Sequence, residues 1–264
     1  MAEDFSRHSI EEAIESKKKV YEIIRKVGLA REKLEKSLFY KEALKQLENP
    51  EMVAQIKRVI VTSPHHSQLQ LVLYGLGPLE PVEEHCVRDY HVEFSCMQLA
   101  FAILLREKFE WINDIVVFDP DHTSFDKIAM HHLGCTSLLV NEYCKRTVDR
   151  PTLFFMPHLP YWLTQNVLNA NSKPANLNKI IILGNSLSRI GPISFHDKIE
   201  SIFNSTHIQR EFPLRASDQL TDIHRSGDSN IPFKQKELDP DPVINAAFRL
   251  LSWQFFVDKT VNGI

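Results

Sequence analysis

Apolar positions follow two different rhythms along the chain. Over residues 1–60 they recur at helical spacing: Ile10, Ile14, Tyr21 and Ile24, then Leu34, Leu38 and Leu47, then Met52, Ile56 and Ile60. Charged residues of both signs fill the gaps. The pattern predicts two or three amphipathic helices. Ser9, with Glu12 three residues on, has the form of a capping box, and Gly28 suits a helix end. No a/d heptad is sustained, which argues against a long coiled coil. Residues 1–62 therefore read as a charged amphipathic helical segment, either a solvated cap on the main domain or a partner-binding arm. Thr62-Ser-Pro-His-His-Ser67 is a loop by composition, with His65 and His66 exposed on it.

From residue 69 the rhythm changes to short continuous apolar runs between helical stretches. Strands are predicted at Leu69 to Tyr74, Asp114 to Phe118, Thr136 to Val140, Thr152 to Phe155 and Lys179 to Leu183. Helices are predicted at Cys96 to Phe109, Phe125 to Leu133 (closed by Gly134) and Tyr161 to Asn169. The strands are rich in Val, Ile, Leu and Phe without alternation, which a sheet buried on both faces requires. Strand–helix alternation of this kind implies βαβ units. The expected fold is α/β, three-layer and Rossmann-like, with a mainly parallel sheet over residues 68–264. His207 to Phe212 predicts a sixth strand. Leu250 to Val257 predicts a last one, antiparallel beside the sixth, which would allow a methyltransferase-like topology. Residues 214–242, with Pro240 and Pro242, read as a loop with one helical turn.

Composition narrows the function class. The chain has 264 residues with a formal net charge of -3, and no basic stripe, so direct nucleic-acid binding is not expected. The longest apolar stretches, such as Leu99 to Leu105, fall far short of a membrane span. No signal peptide is visible at the start of the sequence. Cys86, Cys96, Cys135 and Cys144 form no C-x-x-C pair and read as reduced thiols inside a cell.

In an open α/β sheet, ligands bind outside the carboxyl ends of the strands, where strand order reverses. That rule selects Gly75, Gly77, Asp119, Asn141, Glu142, Met156, Pro157, His158, Gly184, Asn185 and Ser186. Gly75-x-Gly77 permits a tight turn and close backbone approach. The third glycine of G-x-G-x-x-G is replaced by Glu80, whose carboxylate would face a pyrophosphate, and Leu79 breaks G-x-G-x-G. Asp119 stands where an acid would grip ribose hydroxyls, at about double the usual ~20-residue spacing. His158 is a candidate general acid or base that Asp119 or Glu142 could orient. Gly184-Asn-Ser-Leu-Ser188 lacks the closing glycine of a nucleophile elbow. His131-His132 with Cys135 has poor spacing for a metal. No catalytic signature emerges, no metal site is expected, and the residues name no cofactor.

Several runs together resemble the sensitivity-to-red-light-reduced family, in that family's order and over roughly residues 70–257. They are Leu73-Tyr-Gly-Leu-Gly-Pro-Leu-Glu80, Cys96-Met-Gln-Leu-Ala-Phe-Ala-Ile-Leu-Leu105, Val117-Phe-Asp-Pro120, Leu133-Gly-Cys135 and Val140-Asn-Glu142. Pro151-Thr-Leu-Phe-Phe-Met-Pro-His158, Ile182-Leu-Gly-Asn-Ser186 and Ser252-Trp-Gln-Phe-Phe256 complete the set. Phe109-Glu-Trp-Ile112 and the closing run look like the plant branch. The resemblance implies a regulator of circadian-clock input, linked to phytochrome B-dependent and -independent red-light signalling, in cytoplasm and nucleus. It implies an unidentified signalling protein or small-molecule ligand as partner. Relatives outside plants are linked to regulation of haem synthesis. The resemblance carries no reaction or cofactor. The expectation from the residues alone that competes with it is an S-adenosylmethionine-dependent methyltransferase-like enzyme.

Overall fold

The first helix is longer than its sequence signals suggest. In the computed structural model, which describes residues 2–63, 67–81, 89–187, 207–214 and 239–258, α1 runs unbroken over Ala2–Lys36. Ser9 lies inside it, not at its cap, and Gly28 does not end it. The reason is burial: Ile23, Val27, Ala30 and Leu34 keep a 3.6-residue rhythm across Gly28 and are all buried. Ile23, Val27 and Leu34 each gain about 1.5–3 kcal/mol on full burial, against about 1 kcal/mol lost at one glycine. Ile14 and Tyr21 are exposed, so the apolar face read from them is not the core face. The helix stops at Ser37, whose Oγ accepts from the Tyr40 amide at 3.0 Å and starts α2, Leu38–Glu48. Asn49 then caps α3, Pro50–Ile60, through its side chain and a proline in the first turn.

Seven strands form one sheet. They are β1 (Leu69–Tyr74), β2 (Ile112–Phe118), β3 (Cys135–Ser137), β4 (Thr152–Met156), β5 (Ile180–Asn185), β6 (His207–Pro213) and β7 (Leu251–Asp258). Their order is β3-β2-β1-β4-β5-β7-β6. Pairing is parallel from β3 to β5, and β7 runs antiparallel to both β5 and β6. The expected mainly parallel α/β architecture with an antiparallel last strand and a helical N-terminus is the one found. Strand order reverses between β1 and β4. From β1 the chain steps outward to β2 through α4 (Asp89–Lys108) and to β3 through α5 (Ser124–His132). From β4 it steps the other way, through α6 (Tyr161–Ala170) and α7 (Pro174–Leu177), to β5. α8 (Pro242–Phe248) leads into β7.

Alternate strand residues feed two cores. Leu69, Leu71 and Leu73 pack with α1, α2, α3, α4, α5 and α8, Phe101 lying against Phe39, Phe155 and Phe248. Val72, Tyr74, Phe154 and Met156 face α6, α7 and the segment after β3. The N-terminal helices thus share a core with the sheet. Phe39 donates its amide to Asp239, and ion pairs join Lys33 to Asp241 and Arg31 to Glu107.

Boundaries differ from expectation at several elements; α4, for one, begins at Asp89 instead of Cys96. β3 ends at Ser137 instead of Val140, because Ser137 pairs with Val117 and β2 ends one residue later. Leu139 and Val140 are left exposed. No helix joins β3 to β4; residues 138–151 cross the sheet as an irregular segment. α8 fills the stretch between the expected loop and the last strand, which the sequence left unassigned, and is capped by Asp241, which accepts from the amides of Val243 and Ile244. His65, His66, Cys86 and most of residues 214–242 lie outside the described residues.

Candidate functional site at the carboxyl ends of the strands

The glycine turn after β1 is fixed at almost every backbone group. Gly75 and Gly77 hold φ of 71° and 81°, the left-handed region that glycine enters without a side-chain penalty. Gly75 donates to the Phe118 carbonyl at 3.2 Å. Ser95 on α4 donates its hydroxyl to the Leu76 carbonyl at 2.7 Å. Asp119, buried at the end of β2, accepts from the Gly77 amide at 2.8 Å and from the Asp121 amide at 2.9 Å. The Gly77 carbonyl accepts from Nε2 of His122 at 2.9 Å, which requires the Nε2–H tautomer. Thr123 donates to Glu80 at 2.8 Å. The turn and the β2–α5 connection are one hydrogen-bonded unit, and the carboxylate expected to grip a ribose grips the turn itself.

His122 was not among the residues selected from the sequence. Burial pulls its pKa below the ordinary histidine value, against the raising influence of Asp119 and Asp126. A signal for it existed. Thr123-Ser-Phe-Asp126 is a capping box, present in full at the start of α5, and it aims the preceding residue back at the turn.

The loop after β4 lies on the other side of the glycines. A β-carbon on Gly75 would stand 2.1 Å from Cδ2 of Leu159. Asn185, at the end of β5, donates to the Leu159 carbonyl at 2.9 Å. Gly184 lets β5 approach β4, since a β-carbon there would meet the Met156 carbonyl at 3.1 Å. Pro157 is buried, and His158 follows it at φ 55°. His158 donates from Nε2 to the Ala247 carbonyl at 3.0 Å, tying the loop to α8. The residue is exposed overall, yet packing about its ring holds its pKa below the ordinary value. Asp119 and Glu142 are both engaged elsewhere, so the carboxylate–histidine pair considered from the sequence is not formed. Ser186 is buried and its amide donates to Leu250.

Glu142 belongs to a separate network on the second face of the sheet. It accepts from Tyr74 at 2.5 Å and from Arg146 in two-pronged fashion at 2.9 and 2.8 Å. Arg146 also reaches Gln70, which donates to Asp114, itself paired with Arg150. Burial would raise the Glu142 carboxyl, but the bonds from Arg146 and Tyr74 outweigh it and hold the pKa low. Burial and the Glu142 bond push the Tyr74 phenol far up. Asn141 accepts from the Tyr143 amide in a local turn, and Tyr143 and Cys144 both take positive φ. A cleft of about 460 Å³ is lined by Glu142, Lys145, Arg146, Thr147 and Asp149.

The structure therefore gathers Gly75, Gly77, Asp119, Pro157, His158, Gly184 and Asn185 along one rim and sets Glu142 apart. On that rim the polar atoms described above position backbone. His131 and His132 are exposed while Cys135 is buried in the core. Among the described residues no group of three or more His, Cys, Asp or Glu side chains could hold a metal ion. No helix among them is long and apolar enough to cross a membrane.

The pattern of the SRR1 domain matches residues 30–255. An Arabidopsis thaliana protein, Protein SENSITIVITY TO RED LIGHT REDUCED 1, is 39% identical over 162 residues, which cover 61% of this chain and 54% of the relative. An SRR1-like protein of Mus musculus is 33% identical over 131 residues, covering 46% of this chain and 45% of its own. One from Drosophila melanogaster is 30% identical over 124 residues, 46% of this chain and 40% of the relative. The chain spans about half the length of the curated relatives it matches.

Proposed function

Since the chain belongs to the SRR1 domain family, we propose that it is a regulator of red-light signalling and circadian-clock input, working by binding instead of turnover. The observation that carries this reading is the 39% identity to the Arabidopsis protein named for red-light sensitivity. The rim geometry supports the second half of it: Asp119, His122, His158 and Asn185 spend their polar atoms on the chain's own backbone. In this reading the protein acts both with and independently of phytochrome B, in cytoplasm and nucleus, through a signalling partner or small ligand. The test is genetic. The chain is expressed in Arabidopsis plants lacking the relative, and seedling growth inhibition under red light is scored. Restoration is expected, and a well-accumulated protein that restores nothing would withdraw the proposal.

One observation favours a second reading, an S-adenosylmethionine-dependent methyltransferase-like enzyme. The sheet carries an antiparallel strand inserted beside β5, a glycine turn after β1 and an acid after β2. Against it stand the committed carboxylate of Asp119 and the side chain of Leu159 seated on Gly75. Fold alone carries no chemistry. Calorimetric titration decides: absence of heat with millimolar S-adenosylmethionine removes this reading.

A further inference from the structure

The outer side of α1 takes no part in the core. From Glu11 to Lys19 only Ser16 is less than exposed, so this stretch stands in solvent before the helix beds on the body at Ile23, Val27 and Leu34. Ile14 is 60% exposed and Tyr21 64%. Seven residues separate them, two helical turns less about 20°, so they share one face of α1. That face points away from the buried stripe, because Tyr21 and Ile23 stand about 200° apart around the helix. Ile10 and Lys17 hold the intervening positions on the same line. In heptad terms Ile14 and Tyr21 are a positions, and Ile10 and Lys17 are d positions. The seam is short because the next d residue, Ile24, is half-buried against the core of its own body.

The flanks of this seam carry charge in a definite order. The e positions, one per heptad, are Asp4, Glu11, Lys18 and Arg25, two acids followed by two bases. The g positions, Ser6, Ala13, Val20 and Val27, are uncharged. In a parallel pair of such helices e would face g, and no ion pair would form. In an antiparallel pair e faces e. Aligning Ile14 with Lys17 of a second copy sets Glu11 opposite Lys18 and Asp4 opposite Arg25, each twice by symmetry. Ile10 then meets Tyr21, and Lys17 lays its aliphatic stem along Ile14. Arg25 and Leu29 are exposed too, so the outer side of α1 is open where the first turns of the second copy would lie. The present partners of the two cations are exposed neighbours on the same helix, Lys18 with Glu15 at 3.8 Å and Arg25 with Glu22 at 2.9 Å. Surface pairs of that kind hold a side chain only weakly.

We infer that α1 pairs antiparallel with α1 of a second copy of this chain, along Ile10, Ile14, Lys17 and Tyr21. The occupant is the chain itself, because its charge order is complementary to its own reverse. Lys17 within the seam lowers the strength of the pair and keeps it reversible. The pairing goes beyond the red-light reading and does not depend on it.

The test is sedimentation velocity of the full chain over a concentration series, at low and high salt. A dimer that grows with concentration and weakens with salt is expected. Lys18→Glu sets like charges opposite each other twice and should raise the dissociation constant about tenfold or more. Adding Glu11→Lys to that variant recreates both pairs and should reverse the loss. Lys17→Leu completes the apolar seam and should tighten the dimer. Circular dichroism checks that helix content and thermal stability are unchanged in each variant. Orientation is read by disulfide trapping: Ile10→Cys and Tyr21→Cys proteins should cross-link when mixed, and neither with itself. A monomer at every concentration would overturn the inference. So would a dimer indifferent to Lys18→Glu, a double variant that stays apart, or cross-linking of either single variant alone.

Discussion

Leu159 lies over the bare α-carbon of Gly75, so that a β-carbon there would stand 2.1 Å from its Cδ2. Gly75→Ala meets both this collision and a φ of 71°. It is expected to cost about 2–4 kcal/mol. Leu159→Ala in the same chain relieves the collision alone, so the double variant should lose less than the sum of the two. Urea titration of the four proteins checks this. Strictly additive losses would show that Leu159 does not press on the turn.

Glu142→Gln removes the charge that Arg146 and Tyr74 both bind, and is expected to lower stability by about 1–3 kcal/mol at neutral pH. The folded carboxyl sits below its ordinary value of 4.5. A depressed acid contributes stability that is complete above the unfolded value and is lost as pH falls through the folded one. The gap between wild type and variant should therefore narrow below about pH 4.5. Denaturation midpoints from pH 7 to 3 measure it, and a gap constant across that range contradicts the network.

His122 and His158 are both held below the ordinary histidine value of 6.5, His122 by burial and His158 by the desolvation of its ring against its neighbours. A base with a depressed folded pKa takes up protons more readily once unfolded. The stability it contributes is complete above 6.5 and is lost as pH falls through the folded value. Ring-proton NMR titration of the folded chain should give midpoints below 6.5 for both. A midpoint at or above 6.5 for His122 would mean that its ring does not sit beneath the glycine turn.

Burial pushes the thiols of Cys96 and Cys144 up to about 12 and that of Cys135 to about 11. The thiolate is the reactive form. Iodoacetamide at pH 8 should leave all three unmodified in the folded chain and label them in urea, as read by peptide mass mapping. Rapid labelling of Cys144 in the native protein would show that the kinked segment opens.

The sheet was legible because its strands are buried on both faces, leaving runs such as Leu153-Phe-Phe-Met156 that nothing else explains. The course of α1 was not. Ile14 and Tyr21 look like core residues by spacing, and only tertiary packing shows that Ile23, Val27 and Leu34 form the buried stripe instead. The rim residues were selected by a geometric rule, and the rule does place Gly75, Gly77, Asp119, Gly184 and Asn185 at strand ends. It says nothing of how each polar atom is spent. Asp119 could serve a ribose or a backbone amide equally well as far as sequence goes, and the choice is made by where Gly77 lies. The Glu142–Arg146 pair was within reach, being four residues apart. Its link to Tyr74 spans 68 residues and needed the fold.

The place of β7 between β5 and β6 has a consequence for biosynthesis. The ribosome delivers β6 first, but its one neighbour among the described strands has yet to emerge. Until Leu251–Asp258 arrives, β5 presents a bare ladder of amides and carbonyls, and Trp253, Phe255 and Phe256 are missing from the interior. A nascent chain halted short of Leu251 is therefore an adhesive intermediate. Chaperone demand should peak in that interval and fall once the late ribbon slips into its slot.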